Sequence, residues 1–146
     1  MMASVEIIAG SKSDEDLVKV IVETLEEFGV KYRSQVASAH REPEKVKGIV
    51  NSSDAEVFIG VAGLSAALPG VIASHTLKPV IGVPRSVKLE GLDALLSIAQ
   101  MPPGVPVAAV GVDNGKNAAI LAVEILALKD EVLRERLALF RGRKKA

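Results

Sequence analysis

His40 is the side chain in this sequence best suited to moving a proton near neutral pH, and Arg41 stands next to it in the run Ser38-Ala39-His40-Arg41-Glu42-Pro43. A free imidazole titrates at about 6.5, and a guanidinium holds phosphate or carboxylate through two parallel hydrogen bonds. A second run, Gly10-Ser11-Lys12-Ser13-Asp14, gathers a glycine, two hydroxyls and a carboxylate. Gly10 permits close approach of the backbone to a ligand, Ser11 and Ser13 offer donors to phosphate oxygens, and Asp14 suits ribose hydroxyls. Blander readings fit the same letters. Ser13 can cap a helix with Asp16 completing a capping box, and His40 can be a loop histidine bonded to a carbonyl.

Two further runs could shape a site. Ala62-Gly63-Leu64-Ser65-Ala66-Ala67-Leu68-Pro69-Gly70 is made largely of small residues, which let backbone approach a flat ligand or a neighbouring helix. Gln100-Met101-Pro102-Pro103-Gly104-Val105-Pro106 is stiffened by proline and reads as a wall or lid base. His75, the other histidine, reads as a surface or interface residue. The sequence contains no cysteine, which removes disulfides, thiolate nucleophiles and cysteine-zinc sites. Two separated histidines without a paired carboxylate motif give no metal-ligand spacing, so no metal is expected. No G-x-G-x-x-G, Walker or G-x-S-x-G motif is present, which weakens dinucleotide, nucleoside-triphosphate and hydrolase readings.

The elements that must position these runs follow from periodicity. Short β-branched segments at residues 5–9, 30–36, 57–62, 79–83 and 107–112 alternate with helical patterns at 14–28, 43–51, 68–75, 92–100 and 117–128. That rhythm predicts an α/β three-layer sandwich around a parallel, doubly wound sheet. In the first helix Leu17, Val20, Ile21, Thr24, Leu25 and Phe28 form the stripe expected to face the sheet, and Pro43 suits the first position of the second. The runs of interest therefore follow strands and precede helices, where open parallel sheets collect ligands. One domain is expected over residues 1–146, with a terminal helix at about 130–142 packing on a neighbouring subunit.

Composition narrows the partners. With 49% hydrophobic and 25% charged residues, the chain carries more apolar surface than a monomer readily hides, which points to subunit interfaces. Eighteen basic residues balance eighteen acidic ones, so no nucleic acid and no anionic membrane is expected as partner. The apolar stretch at 58–73 is broken by glycines, Ser65 and Pro69, too short for a membrane helix. The first ten residues read as a strand rather than a signal peptide, so a cytoplasmic address is expected. Arg141-Gly142-Arg143-Lys144-Lys145 reads as a solvated tail.

In order and spacing, Gly10-Ser11-Lys12-Ser13-Asp14, Ser38-Ala39-His40-Arg41-Glu42-Pro43, Leu68-Pro69-Gly70, Pro79-Val80-Ile81-Gly82-Val83-Pro84, Gly91-Leu92-Asp93-Ala94-Leu95-Leu96-Ser97 and Gln100-Met101-Pro102 resemble the 5-(carboxyamino)imidazole ribonucleotide mutase family, PurE, also described as the phosphoribosylaminoimidazole carboxylase catalytic subunit family. The likeness runs from Val5 to about Leu128. It implies a flavodoxin-like subunit in a homo-octamer, with sites where subunits meet, the last helix reaching across, and no cofactor.

By the same resemblance Gly10, Ser11, Ser13 and Asp14 hold the ribonucleotide's phosphate and ribose, Arg41 contacts the phosphate and His40 moves the proton. Ser38, Ala39, Ala62, Gly63, Ser65, Leu68 and Pro69 complete the expected substrate-binding set. The implied reaction belongs to purine biosynthesis and converts 5-carboxyaminoimidazole ribonucleotide to 4-carboxyaminoimidazole ribonucleotide through CO2 trapped in a dry pocket of small residues.

One position departs from the pattern. Mutase-type members carry a histidine where this chain has Ala67, and His75 lies eight residues on, about 12 Å of helical rise away. Ser65 and Ala67 resemble a branch that carboxylates aminoimidazole ribonucleotide directly with CO2, a lyase activity, whereas Arg41, Pro69 and Gln100 resemble the mutase branch. Direct carboxylation is the nearest alternative. A non-catalytic nucleotide-binding module is the alternative of another class.

Overall fold

Strands that are apolar on both faces need helices on both faces, because unlike an amphipathic strand they have no side to show to water. The computed structural model, which describes residues 2–143, meets that demand. Five parallel strands, β1 (Val5–Ala9), β2 (Tyr32–Val36), β3 (Val57–Gly63), β4 (Val80–Arg85) and β5 (Ala108–Ala109), lie in the order β2-β1-β3-β4-β5. Between them run α1 (Glu15–Glu27), α2 (Pro43–Ser52), α3 (Leu68–Ser74) and α4 (Leu92–Ala99), and α5 (Gly115–Ala127) and α6 (Glu131–Arg143) follow. The arrangement is the flavodoxin-like α/β fold.

Alternation along the strands divides the core in two. Val5, Ile7 and Ala9 of β1 join Val57, Ile59 and Val61 of β3 under Leu17, Ile21 and Leu25 of α1 and the alanine-rich face of α5. On the other face Ile8, Phe58 and Val80 meet Val46 and Ile49 of α2, Leu68 and Ile72 of α3, and Ala94 and Ile98 of α4. Each such large side chain, fully buried, contributes about 1.5–3 kcal/mol. Small residues set the spacing on both sides. A Cβ on Gly115 would lie 3.0 Å from Ile21 and 3.1 Å from the Leu17 carbonyl, so its absence lets α5 rest on α1. Gly60 and Gly82 are register partners, and Pro69 of α3 fills the shallow they leave.

Several boundaries differ from the sequence expectation. Helix α1 ends on Gly29 at φ +71°, where the Gly29 amide donates to the Glu26 carbonyl and the Val30 amide to the Leu25 carbonyl. That Schellman closure takes Val30 out of the strand, so β2 starts at Tyr32. Val20 does not face the sheet; it is exposed. Strand β5 shrinks to two residues, whereas β4 runs on through Pro84 to Arg85, paired with Ala62 and Gly63 of β3. Helix α6 folds back on α1 and α5 through Leu133 and an edge-to-face contact of Phe140 with Phe28, while Arg136 donates to the Phe28 carbonyl at 2.6 Å. Arg141 pairs with Glu124 at 2.6 Å; Lys144 and Lys145 of the basic run lie outside the described residues. Among the described residues no helix is long and apolar enough to cross a membrane.

One buried charge sits in the sheet. Glu6, 1% exposed, accepts from Arg33 Nε at 3.1 Å, Gln35 Nε2 at 3.2 Å and Ser53 Oγ at 2.8 Å. Burial of a carboxylate is tolerated only with such partners, and here they tie edge strand β2 and the end of α2 to β1.

Candidate active site at the carboxyl ends of the strands

Register decides which loops meet. Ala9 pairs with Val36 on one side and Val61 on the other, so β1, β2 and β3 end almost level and their following loops emerge side by side. The chain order also reverses at β1, since β2 and β3 lie on opposite sides of it, which opens a crevice at that edge. A cavity of about 370 Å³ occupies the crevice.

The first loop supplies Gly10, Ser11, Ser13 and Asp14 to its wall. A short 3-10 turn, Lys12–Asp14, precedes α1, and its cap is Ser11 rather than Ser13. Ser11 Oγ accepts from the Ser13 amide at 3.2 Å and from the Ser13 hydroxyl at 2.9 Å, and the Ser11 amide donates to Asp14 Oδ2 at 3.2 Å. The capping box forms between Ser11 and Asp14 and not between Ser13 and Asp16, so Asp16 is left for another task.

The second loop supplies Ser38, Ala39, His40 and Arg41. Ser38 shapes it: its Oγ accepts from the Arg41 amide at 3.1 Å and its carbonyl from the Glu42 amide at 2.8 Å. His40 lies inside that turn, exposed, and neither its imidazole nor the Arg41 guanidinium bonds to another of the described residues. Both are free to meet a ligand. The third loop brings Ala62, Gly63, Leu64, Ser65, Ala67 and Leu68. Leu64 sits at φ 55°, an uncommon conformation for a bulky residue, and turns its side chain to the rim.

Eleven of the expected substrate-binding positions and His40 border this one cavity; Pro69 does not, being buried beneath it against Gly60 and Gly82. The proline-rich loop also stays outside the lining. Its Met101 packs on Gly70, buttressing α3. His75 caps the far end of α3, exposed and away from the cavity. Among the described residues no three histidine or carboxylate side chains cluster as a metal site would require.

Arg85 was not legible as part of this neighbourhood. Its Nη1 donates to both carboxylate oxygens of Asp16, at 2.7 and 2.8 Å, and its Nε lies 4.0 Å from Asp14 Oδ1. Burial pushes the Asp14 carboxyl above the usual carboxylate range; Arg85 and the Ser11 amide pull it partly back. The hydrogen bond from Arg85 holds the Asp16 carboxyl below that range. Leu64, Ala67 and Val87 also join the lining without having been singled out as binding residues. The rule that ligands gather past strand ends was the available signal, applied to β4 as well as to the first three strands.

The AIR carboxylase family model matches residues 4–146. Over 139 residues the chain is 60% identical to the N5-carboxyaminoimidazole ribonucleotide mutase of Methanocaldococcus jannaschii, covering 95% of this chain and 88% of that protein. With the N5-carboxyaminoimidazole ribonucleotide mutase of Pyrococcus abyssi it shares 50% identity over 144 residues, 96% of this chain and 83% of that one. The crystal structure of Treponema denticola PurE superposes with a TM-score of 0.88 at 30% identity, over 96% of this chain and 90% of the other. Sequence along the whole length and architecture of the sheet thus agree, and the chain belongs to the AIR carboxylase (PurE) family.

Proposed function

We propose that this protein is an N5-carboxyaminoimidazole ribonucleotide mutase of purine biosynthesis, an isomerase that moves a carboxylate from the exocyclic nitrogen of the ribonucleotide to its ring carbon. The observation that carries the reading is the convergence of Ser11, Asp14, His40 and Arg41 on one cavity large enough for a nucleotide. Relatives of 50–60% identity bear that name. Arg41 and the Ser11–Ser13 hydroxyls bind the phosphate, and Asp14 accepts from the ribose hydroxyls. The imidazolium of His40 gives its proton to the exocyclic nitrogen as the N–C bond of the carbamate breaks, which leaves the free amine and CO2. The electron-rich ring carbon then attacks CO2, a C–C bond forms, and the neutral imidazole takes the ring proton. His40 ends as it began, so the sequence balances as an isomerisation without a cofactor. We read its address as cytoplasmic, a compartment that retains a phosphorylated substrate unable to cross membranes unaided.

The step with free CO2 needs a water-excluding enclosure, and the cavity of one chain is only partly enclosed. Its rim is apolar: Leu64 and Val87 are 47% and 53% exposed. Leu128, Val132 and Leu139 present further apolar surface around α6. We read these as faces covered by neighbouring subunits, α6 among them, in the homo-octamer that the family resemblance implies. Sedimentation velocity at micromolar concentration is expected to give a single octameric species, and a stable monomer would overturn the assembly.

Ala67 on the cavity wall favours a second reading, direct carboxylation of aminoimidazole ribonucleotide. Supplying the carbamate and, separately, the uncarboxylated ribonucleotide with CO2 and bicarbonate distinguishes them. Product is expected from the carbamate at limiting bicarbonate. Turnover confined to the second mixture would replace the mutase reading with the carboxylase.

A further inference from the structure

The geometry points to Arg85 as a positioning residue of this site: anchored by Asp16, it holds the buried side chain of Asp14 as an ionised acceptor turned to the cavity, where it takes the hydroxyls of a ribose. The inference rests on the assignment of the cavity to a ribonucleotide.

Arg85 itself does not border the cavity; Asp14 does. It stands behind Asp14 because β4 continues two residues past Val83 and brings its last residue level with Gly63. The anchor is specific. Asp16 holds Nη1 through both oxygens, which fixes the guanidinium on the α1 side and leaves Nε as the group nearest Asp14. A Cβ on Gly63 would lie 3.3 Å from Arg85 Cβ, so the third loop packs on the stem of the same side chain. Asp14 is 5% exposed, and a carboxylate removed from water that far keeps its charge only against a cation or several donors. Its one hydrogen bond among the described residues comes from the Ser11 amide.

The charged groups around Asp14 are few. Arg85 faces it from β4, Asp16 from α1, and His40 and Arg41 lie across the cavity on the second loop. Asp113 accepts from the Ser86 amide at 2.8 Å and adds negative charge that also acts on the Arg85 guanidinium. Arg85 is therefore the cation that opposes both the burial of Asp14 and the repulsion of Asp16. Without it Asp14 would take up a proton at milder acidity and present a hydroxyl where a ribose needs an acceptor.

The test is the pH dependence of binding for 5-aminoimidazole-4-carboxamide ribonucleotide, a stable analogue of the product, measured by calorimetry from about pH 5 to pH 8 on the wild type, Arg85→Gln and Arg85→Lys. Arg85→Gln is expected to move the acidic limb of affinity upward by about one pH unit, the lower end of what an opposite charge at this range produces. Affinity should approach wild type at the alkaline end, and Arg85→Lys should keep the wild-type limb. Should Arg85→Gln fail to fold, Arg85→Met carries the same expectation. An unmoved limb overturns the proposal while leaving the ribonucleotide site intact. Equal loss at every pH also overturns it, because that result marks a direct phosphate contact or a merely structural residue. Failure of the wild type to bind the analogue would overturn the site assignment and the inference with it.

Discussion

Replacing His40 by asparagine is expected to lower turnover by about 10²–10⁴-fold while ribonucleotide binding stays nearly unchanged. In the proposed cycle one group protonates the exocyclic nitrogen and later removes the ring proton, so loss of that group touches both halves of the reaction. Asparagine keeps a planar polar tip of similar reach but cannot titrate. The structure gives little reason for the variant to fail otherwise. His40 is exposed, its imidazole bonds to no other described residue, and its turn is held by Ser38 and not by its own side chain. Initial rates with the carbamate, set beside calorimetric binding of the carboxamide analogue, separate the two effects. Retained turnover would remove His40 from the mechanism, and a parallel loss of binding would make it a ligand-holding residue.

That experiment was accessible from sequence alone because the second loop is a local feature. A strand, a serine, a histidine and a proline that starts α2 lie within a dozen residues, and Pro43 fixes the helix start without help from the rest of the fold. The β1, β2 and β3 strands were legible for a similar reason, since β-branched runs between helical patterns need no tertiary information. What lay beyond reach depended on register. Arg85 meets Asp16 across 69 residues, and the meeting requires β4 to pass through Pro84 beside Gly63. Proline lacks an amide donor, yet its carbonyl still accepts, here from the Asp113 amide at 2.8 Å, so the chain stays extended. Likewise Glu6 looks misplaced in an apolar strand until β2 is set beside it with Arg33 and Gln35 aimed inward. Pro69 depends on tertiary geometry in the same way: the family resemblance placed it in the expected binding set, and helical geometry turns it beneath the cavity onto the two glycines of β3 and β4.

Asp14→Asn is expected to weaken ribonucleotide binding by about 10–100-fold, the loss of one hydrogen bond to a charged acceptor, and at the same time to raise the melting temperature near neutral pH. The two effects have one cause. Burial raises the Asp14 pKa in the folded protein above its ordinary value of 3.8. Between the ordinary and the raised value the native state holds more protons than the unfolded chain, so stability falls as pH rises through that window and the full cost is present above it. Asparagine never carries the charge and escapes the cost. Its oxygen can still accept from the Ser11 amide, so the turn before α1 keeps its cap, and Arg85 keeps Asp16. The gain in melting temperature should therefore be largest at neutral and alkaline pH and should vanish below about pH 3, where aspartate is protonated in both states. Melting curves of both proteins across that range decide the matter. A variant less stable than wild type at neutral pH would mean that the pairing of Asp14 with Arg85 outweighs its burial. A variant more stable but binding normally would leave the ribose to some other acceptor, because a carboxylate kept charged in a buried position against its own stability needs a ligand to justify it.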